Sequence, residues 1–243
     1  MKVSLLTLGC KVNQAEMAEI ESGLKGKGAE IVGLSDGSEI CIVNTCTVTQ
    51  KSDYQSRQLI RKAAKTGAKV VVTGCYSELN PGVVESMEGV EQVIKNADKT
   101  HIINKICWNN EANTLSHQHL PNNISTKSTI SEDSARSRLF LKVQDGCDRF
   151  CSYCLIPLAR GKPTSTRPEN VIISIKNAVL EGFQEVVLTG IHLGLYGKDI
   201  NMSLSELLEE IILNTDIKRI RLSSLEINEI NDSLLNLFKT GRI

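Results

Sequence analysis

Residues 51–75 read Lys-Ser-Asp-Tyr-Gln-Ser-Arg-Gln-Leu-Ile-Arg-Lys-Ala-Ala-Lys-Thr-Gly-Ala-Lys-Val-Val-Val-Thr-Gly-Cys, and they hold one full unit of the fold. Residues 51–66 form a helix that ends at Gly67, where the chain can turn with positive φ. Residues 70–73 are a short apolar run, a buried strand, and Cys75 follows it after Gly74. The same grammar extends outward. Further strand-like runs lie at 3–8, 40–44 and 90–94, with a weaker one near 30–32. A helix opens at Asn13, the expected cap, with Glu16 three residues on and Met17, Ile20 and Leu24 as its apolar stripe. Another has Asn80 as cap and Pro81 at its first position. Strands alternating with helices over residues 1–108 predict an α/β fold with a doubly wound parallel sheet.

Residues 109–135 differ sharply. Apolar residues are sparse and neither the helical nor the strand period appears, which predicts a linker or mobile loop. His117 and His119 lie there and read as solvated rather than ligating. Residues 136–243 return to alternation. A strand at 138–143 runs into a cysteine loop, and Thr166-Arg-Pro-Glu169 reads as a capping box opening a helix to about 182. A strand at 185–188, a helix capped by Ser203-Leu-Ser-Glu206, a strand at 219–222 and a helix at 232–238 complete three βα units. That is the grammar of a barrel or half-barrel. The segment is long enough for only three to four such units, so the barrel is expected to be incomplete, with an exposed edge at its third strand.

Composition narrows the function. The 28 basic and 28 acidic side chains cancel, which argues against a generic polyanion binder. Between Arg136 and Arg167, however, seven Lys or Arg face two Asp. Such an excess suits a polyanionic substrate at the mouth of a site, a solvated face being the plainer reading. No apolar run approaches the length of a membrane span. The N-terminus lacks a signal cleavage site and reads as a first strand. Eight cysteines in such a chain favour metal or redox chemistry over disulfides, and the cytoplasm is the expected compartment.

The cysteines fall into patterns. Cys147-Asp-Arg-Phe-Cys151-Ser-Tyr-Cys154 is a C-x₃-C-x₂-C triple with no fourth cysteine after it. Three thiolates can hold an iron–sulfur cube and leave one iron open to a small molecule. The competing reading is a zinc site or three unrelated thiols, but structural zinc wants four ligands and the second pair is missing. Cys10, Cys46 and Cys75 each follow the carboxyl end of a different strand. In a parallel sheet those ends share one edge, where open α/β sheets bind ligands, so residues remote in sequence can converge. Small buried core residues are the alternative. Gly9 and Gly74 would let the backbone approach a bulky cluster. For Cys41, inside its strand, and Cys107, beside Trp108, core packing is the better reading.

Seven segments carry a resemblance: Thr7-Leu-Gly-Cys-Lys-Val-Asn13, Asn44-Thr-Cys-Thr-Val48, Val72-Thr-Gly-Cys-Tyr76, Val143-Gln-Asp-Gly-Cys-Asp148, Cys151-Ser-Tyr-Cys-Leu-Ile-Pro157, Ala159-Arg-Gly161 and Leu188-Thr-Gly-Ile-His-Leu-Gly-Leu-Tyr-Gly197. Over residues 2 to about 226 the chain resembles the radical S-adenosylmethionine (SAM) methylthiotransferases. Gly-Cys-Lys-Val-Asn and Gly-Ile-His-Leu-Gly resemble the branch acting on N6-threonylcarbamoyladenosine in tRNA. The resemblance implies a flavodoxin-like first domain and an incomplete radical SAM partial barrel. It implies two [4Fe–4S] clusters. One, on Cys147, Cys151 and Cys154, binds SAM and cleaves it to a radical, and the other, on Cys10, Cys46 and Cys75, delivers sulfur, with a second SAM giving the methyl group. Gly190 matches the place where the superfamily's barrel meets the methionine part of SAM, a turn glycine being the alternative. Ser223, Ser224 and Glu226 end the third strand, where barrel enzymes put functional groups, although Ile227 stands where the family commonly has proline. Arg160 could bind SAM's carboxylate or a tRNA phosphate, or be an ordinary surface arginine. The implied partners are tRNA and an electron donor such as a flavodoxin or ferredoxin, with no membrane and a monomeric chain. Family members continue to a C-terminal RNA-binding β domain, and the expectation from the length of this sequence is a truncated chain without that domain and with impaired SAM and tRNA affinity. The alternatives are action on a ribosomal protein aspartate, or a non-catalytic cluster- or zinc-binding module.

Overall fold

The computed structural model describes residues 1–107 and 138–243, apart from the side chain of Cys107. The expected linker with His117 and His119, Trp108, and the core reading of Cys107 fall outside the described residues. The described residues form two compact units, residues 1–13 and 17–107 in one and residues 14–16 and 138–243 in the other.

The first unit runs β1 (Lys2–Thr7), α1 (Lys11–Gly26), β2 (Glu30–Ile31), β3 (Ile40–Thr45), α2 (Gln50–Ala64), β4 (Lys69–Gly74), α3 (Cys75–Leu79), α4 (Pro81–Glu85), β5 (Val90–Val93), a 3₁₀ turn (Asn96–His101) and α5 (Ile102–Cys107). Its five strands lie in the order β2-β1-β3-β4-β5, every pairing parallel. The continuous apolar character of β3 and β4 has a direct cause, because both faces of the sheet are covered. Ile42 and Val71 pack with Val3, Met17, Ile20, Leu24 and Ile102 on one face. Cys41, Val43, Val70 and Val72 pack with Ile60, Ala63 and Val84 on the other. Cys41 is thus a core residue, and burial pushes its thiol pKa up despite a hydrogen bond with Ser4.

The second unit runs β6 (Arg138–Lys142), β7 (Gln144–Asp145), α6 (Ile156–Arg160), β8 (Thr164–Ser165), α7 (Pro168–Leu180), β9 (Glu185–Thr189), a 3₁₀ turn (Leu193–Leu195), α8 (Leu204–Asn214), β10 (Arg219–Leu222), a 3₁₀ turn (Ile227–Glu229) and α9 (Asp232–Phe238). Strands β6, β9 and β10 make a parallel sheet in the order β10-β9-β6, and β7 pairs antiparallel with β8. One core joins Leu141, Val186, Leu188 and Ile220 of the sheet to Val171, Ile175, Leu207, Leu208, Ile211 and Leu234 of the helices. The outer edge of β10 is partly closed, since Ile220 N–H donates to the carbonyl of Arg242 at 2.6 Å.

Two expected caps are corrected. Helix α1 begins at Lys11, with Cys10 rather than Asn13 at the cap position. The Asn13 amide instead donates to the carbonyls of Leu8 (2.7 Å) and Thr45 (3.1 Å), tying two strand ends together. Helix α7 is capped at Arg167 without a side-chain bond, because Pro168 takes the first helical position. Thr166 lies one residue too early, and its N–H donates to the carbonyl of Val143 at 2.8 Å. The box at Ser203 and Glu206 forms as read. Asn80 stands at the cap position of α4, but its side chain donates to Tyr76 and leaves the helix end uncapped.

Candidate metal centres

In the first unit the strand register does the gathering. Thr7 pairs with Asn44, Asn44 with Thr73 and Thr45 with Gly74, so β1, β3 and β4 end level. Cys46 and Cys75 are the next residues on neighbouring strands, and Cys10 follows β1 at the start of α1. Cys46 and Cys75 are buried and Cys10 is exposed. Gly9 has φ +110°, and a Cβ there would meet the Cys46 Cβ and Sγ at 2.8 Å. Only a glycine lets the peptide before Cys10 run against the Cys46 thiol. Gly74, φ +103°, serves the neighbouring strand in the same way, since a Cβ would strike the backbone of Thr45. Ser56 grips the peptide of Cys46, accepting from its N–H at 3.1 Å and donating to its carbonyl at 2.8 Å. The Cys10 Sγ lies 3.9 Å from Asn13 Oδ1.

In the second unit one loop carries all three thiols. Cys147 is buried, Cys154 partly exposed and Cys151 exposed. Gly146 and Phe150 have positive φ, +70° and +47°, which coil the loop tightly. The Cys147 N–H donates to Gly161 O at 3.0 Å and the Cys154 N–H to Cys151 O at 2.9 Å. At the base of the loop Arg160 Nη1 donates to both carboxylate oxygens of Asp145, at 2.9 and 3.0 Å. Burial pushes the Asp145 carboxyl up, but Arg160 and Lys142 outweigh it and hold it below the ordinary value.

No disulfide joins the seven described cysteines. Among the described residues, the one group of three potential ligands with atoms within 4.8 Å of one another is His192, Glu226 and Glu229. Neither cysteine trio is that compact. A four-iron cube is wider than a single ion, so thiolates that hold one stand further apart, and soft sulfur donors suit iron–sulfur chemistry. Each set offers three thiol donors, the donor type that such a cube takes.

The other candidates occupy the carboxyl edge of the second sheet or its surroundings. Gly190 follows β9, and a Cβ there would meet Gln144 Oε1 at 2.8 Å. Ser223 follows β10, and its hydroxyl donates to Leu188 O at 3.2 Å. Glu226 is exposed, its N–H donating to Glu229 Oε2 at 3.0 Å. The guanidinium of Arg160 is already paired to Asp145, so an anion there would share it. A cavity of about 520 Å³ opens beside Glu229 and is lined by Tyr196, Lys198, Ser203 and Asn231 among others, with no cysteine in its wall.

Sequence reasoning passed over His192 and Glu229. His192 Nε2 lies 2.6 Å from Glu229 Oε1, and its Nδ1 lies 4.0 Å from Cys147 Sγ. Arg149 Nη2 donates to the same Glu229 oxygen at 3.2 Å. Partial burial pushes the Glu229 carboxyl up, but the donors from Glu226, His192 and Arg149 prevail and lower it. The signal was the histidine at the centre of Gly-Ile-His-Leu-Gly, a motif quoted for its resemblance and given no role.

Comparison with known proteins places these sites in context. Residues 2–96 match an uncharacterized protein family, UPF0004. The threonylcarbamoyladenosine tRNA methylthiotransferase MtaB of Aquifex aeolicus is 37% identical over 98% of this chain and 59% of its own length. Nearly the whole chain is thus similar to a tRNA methylthiotransferase. The MtaB of Bacillus subtilis is 35% identical over 97% of this chain and 54% of its own. A probable threonylcarbamoyladenosine tRNA methylthiotransferase of Pyrococcus horikoshii is 30% identical over the whole chain and 58% of its own length. The chain thus spans somewhat over half the length of these relatives. Among solved structures, the radical SAM methyltransferase TsrM of Kitasatospora setae, with cobalamin and a [4Fe–4S] cluster bound, matches with a TM-score of 0.62. It covers 99% of this chain and 59% of TsrM at 14% identity, a likeness of fold alone. Among the described residues no helix is long and apolar enough to cross a membrane.

Proposed function

We propose that this chain carries the two cluster-binding units of an enzyme that transfers a methylthio group to the 2-position of N6-threonylcarbamoyladenosine, next to the anticodon in tRNA. The reading rests on one observation above all. Two three-thiol sets, one following the ends of three parallel strands and one in a single loop after β7, occur in a chain similar along 98% of its length to a tRNA methylthiotransferase. The names of the relatives favour tRNA over a ribosomal protein aspartate. We read the first sheet as flavodoxin-like, since its strand order is 2-1-3-4-5, and the second as part of a radical SAM barrel.

Cys147, Cys151 and Cys154 would hold one [4Fe–4S] cluster with SAM, and Cys10, Cys46 and Cys75 a second. Bound, these groups supply one-electron cleavage and sulfur that no side chain supplies. The chain's own residues hold and orient. Ser56 fixes the peptide of Cys46, and Asn13 joins the ends of β1 and β3. The Arg160–Asp145 pair anchors the cysteine loop. Gly190 and Ser223 directly follow the ends of the adjacent strands β9 and β10 and would face SAM, with Glu226 at the rim. The basic excess around the loop would draw the tRNA backbone. An electron donor of the flavodoxin or ferredoxin kind, a cytoplasmic setting and a monomeric chain complete the proposal.

The test compares tRNA nucleosides by mass spectrometry from cells with and without the gene. Loss of the 2-methylthio mark on N6-threonylcarbamoyladenosine is expected on deletion, with the unmodified precursor rising to match. Unchanged nucleosides, once any second methylthiotransferase gene is removed, would overturn the reading.

A further inference from the structure

We infer that the segment Gly190-Ile-His-Leu-Gly194 is built to hold His192 against the sulfur of Cys147, making His192 a positioning residue that hydrogen-bonds the ligating thiolate and raises the reduction potential of its cluster. This rests on the reading of Cys147, Cys151 and Cys154 as cluster ligands.

Three contacts fix the ring. The His192 N–H donates to Gln144 Oε1 at 2.9 Å, and the Gln144 amide donates to the carbonyls of Asp145 (2.8 Å) and Gly146 (2.7 Å). One side chain therefore links the backbone of His192 to the backbone just before Cys147. Nε2 lies on Glu229 Oε1 at 2.6 Å, and Arg149 steadies that carboxylate from outside. Nδ1 is then left facing Cys147 Sγ at 4.0 Å.

Both glycines of the segment make room for these partners. A Cβ at Gly190 would stand 2.8 Å from Gln144 Oε1 and 3.0 Å from its Cβ. A Cβ at Gly194 would overlap the carboxyl group of Glu229. Gly190 thus admits the group that holds the histidine backbone, and Gly194 the group that holds its ring. A histidine that merely fills core space needs neither.

The surroundings give the contact weight. Gln144, His192 and Cys147 are 1%, 7% and 9% exposed, and in such a dry setting a hydrogen bond is electrostatically stronger than in water. Once Cys147 ligates iron its sulfur is an acceptor, so a hydrogen bond along this contact is donated by Nδ1–H. An N–H aimed at a ligating sulfur stabilises the reduced cluster, which carries one more negative charge. The same three residues, His192, Glu226 and Glu229, could be read as a separate cation site. Arg149 on Glu229 argues against that, because it places a positive charge where the ion would sit.

The test is a redox titration followed by electron paramagnetic resonance on the anaerobically reconstituted full chain, with Cys151→Ser used to identify the signal of the loop cluster. His192→Phe is expected to shift that cluster's reduction equilibrium at least tenfold toward the oxidised form, about 59 mV for one electron, and to leave the other cluster unmoved. His192→Gln, which keeps an N–H, should recover part of the shift. Glu229→Gln and Gly194→Ala should move the potential in the same direction by less. They carry the test if His192→Phe fails to load iron. An unchanged potential in a fully loaded His192→Phe, or in both of the milder variants, overturns the inference and leaves the proposed function standing. A wild-type chain whose iron content is indifferent to Cys151→Ser overturns both.

Discussion

The two cysteine trios are reached by opposite routes. Cys10, Cys46 and Cys75 are spread over 66 positions of sequence and gathered by a sheet, whereas Cys147, Cys151 and Cys154 sit within one eight-residue loop. The first set depends on the register of β1, β3 and β4, with two thiols buried among strand ends. The second depends on loop geometry and on what lies beneath it, and it presents Cys151, Phe150 and Tyr153 to solvent. A gathered site is as fragile as the sheet that makes it. A loop site tolerates change on its rim but not in the core that supports it.

That contrast can be broken from either side. The largest expected effect is Leu207→Ala, a fully buried core side chain of α8, which should cost about 2–5 kcal/mol by chemical denaturation. It should reduce the iron held by the loop trio and spare the sheet trio. Gly74→Ala comes next. Its φ of +103° and the approach of Thr45 make a side chain strained and crowded, costing about 3 kcal/mol. Here the sheet trio should lose its iron and the loop trio keep it. If each variant emptied both sites equally, the contrast would fail.

Smaller changes sharpen the comparison. Ser56→Ala leaves the buried peptide of Cys46 without two partners and should cost about 1–2 kcal/mol, again with loss confined to the sheet trio. The smallest effect lies in the second unit. The backbone N–H and side chain of Ser203 both hydrogen-bond Glu206 and lower its carboxyl below the ordinary 4.5. A group whose folded value is depressed contributes stability above its unfolded value and loses it as pH falls through the folded value. Glu206→Gln should therefore flatten the acid limb of the stability curve below about pH 4.5 and leave the iron content unchanged at neutral pH. Urea titrations at stepped pH would read this, and identical acid limbs would refute it.

Much of the fold could be read from local pattern. Strands 70–73 and 40–44 were visible because both faces are buried and every residue but Asn44 is apolar or small, and the sheet's level edge follows once those strands are parallel. The gathering of Cys46 and Cys75 was legible for the same reason. What escaped is long in range. Asn13 and Thr166 carry the spacing of local caps, yet Asn13 is claimed by Thr45, 32 residues away, and Thr166 by Val143. His192 and Glu229 are 37 residues apart, and no local period joins them. The glycines at 9 and 74 were read as room for a cluster, whereas they first make room for neighbouring protein atoms.

Iron and sulfide counts on the anaerobically purified chain, with Cys46→Ser, Cys151→Ser and the pair together, test the account most directly. About eight irons and eight sulfides are expected in the wild type, about half in each single variant and none in the double. An iron content untouched by either single substitution, or a colourless protein that binds zinc instead, would contradict it.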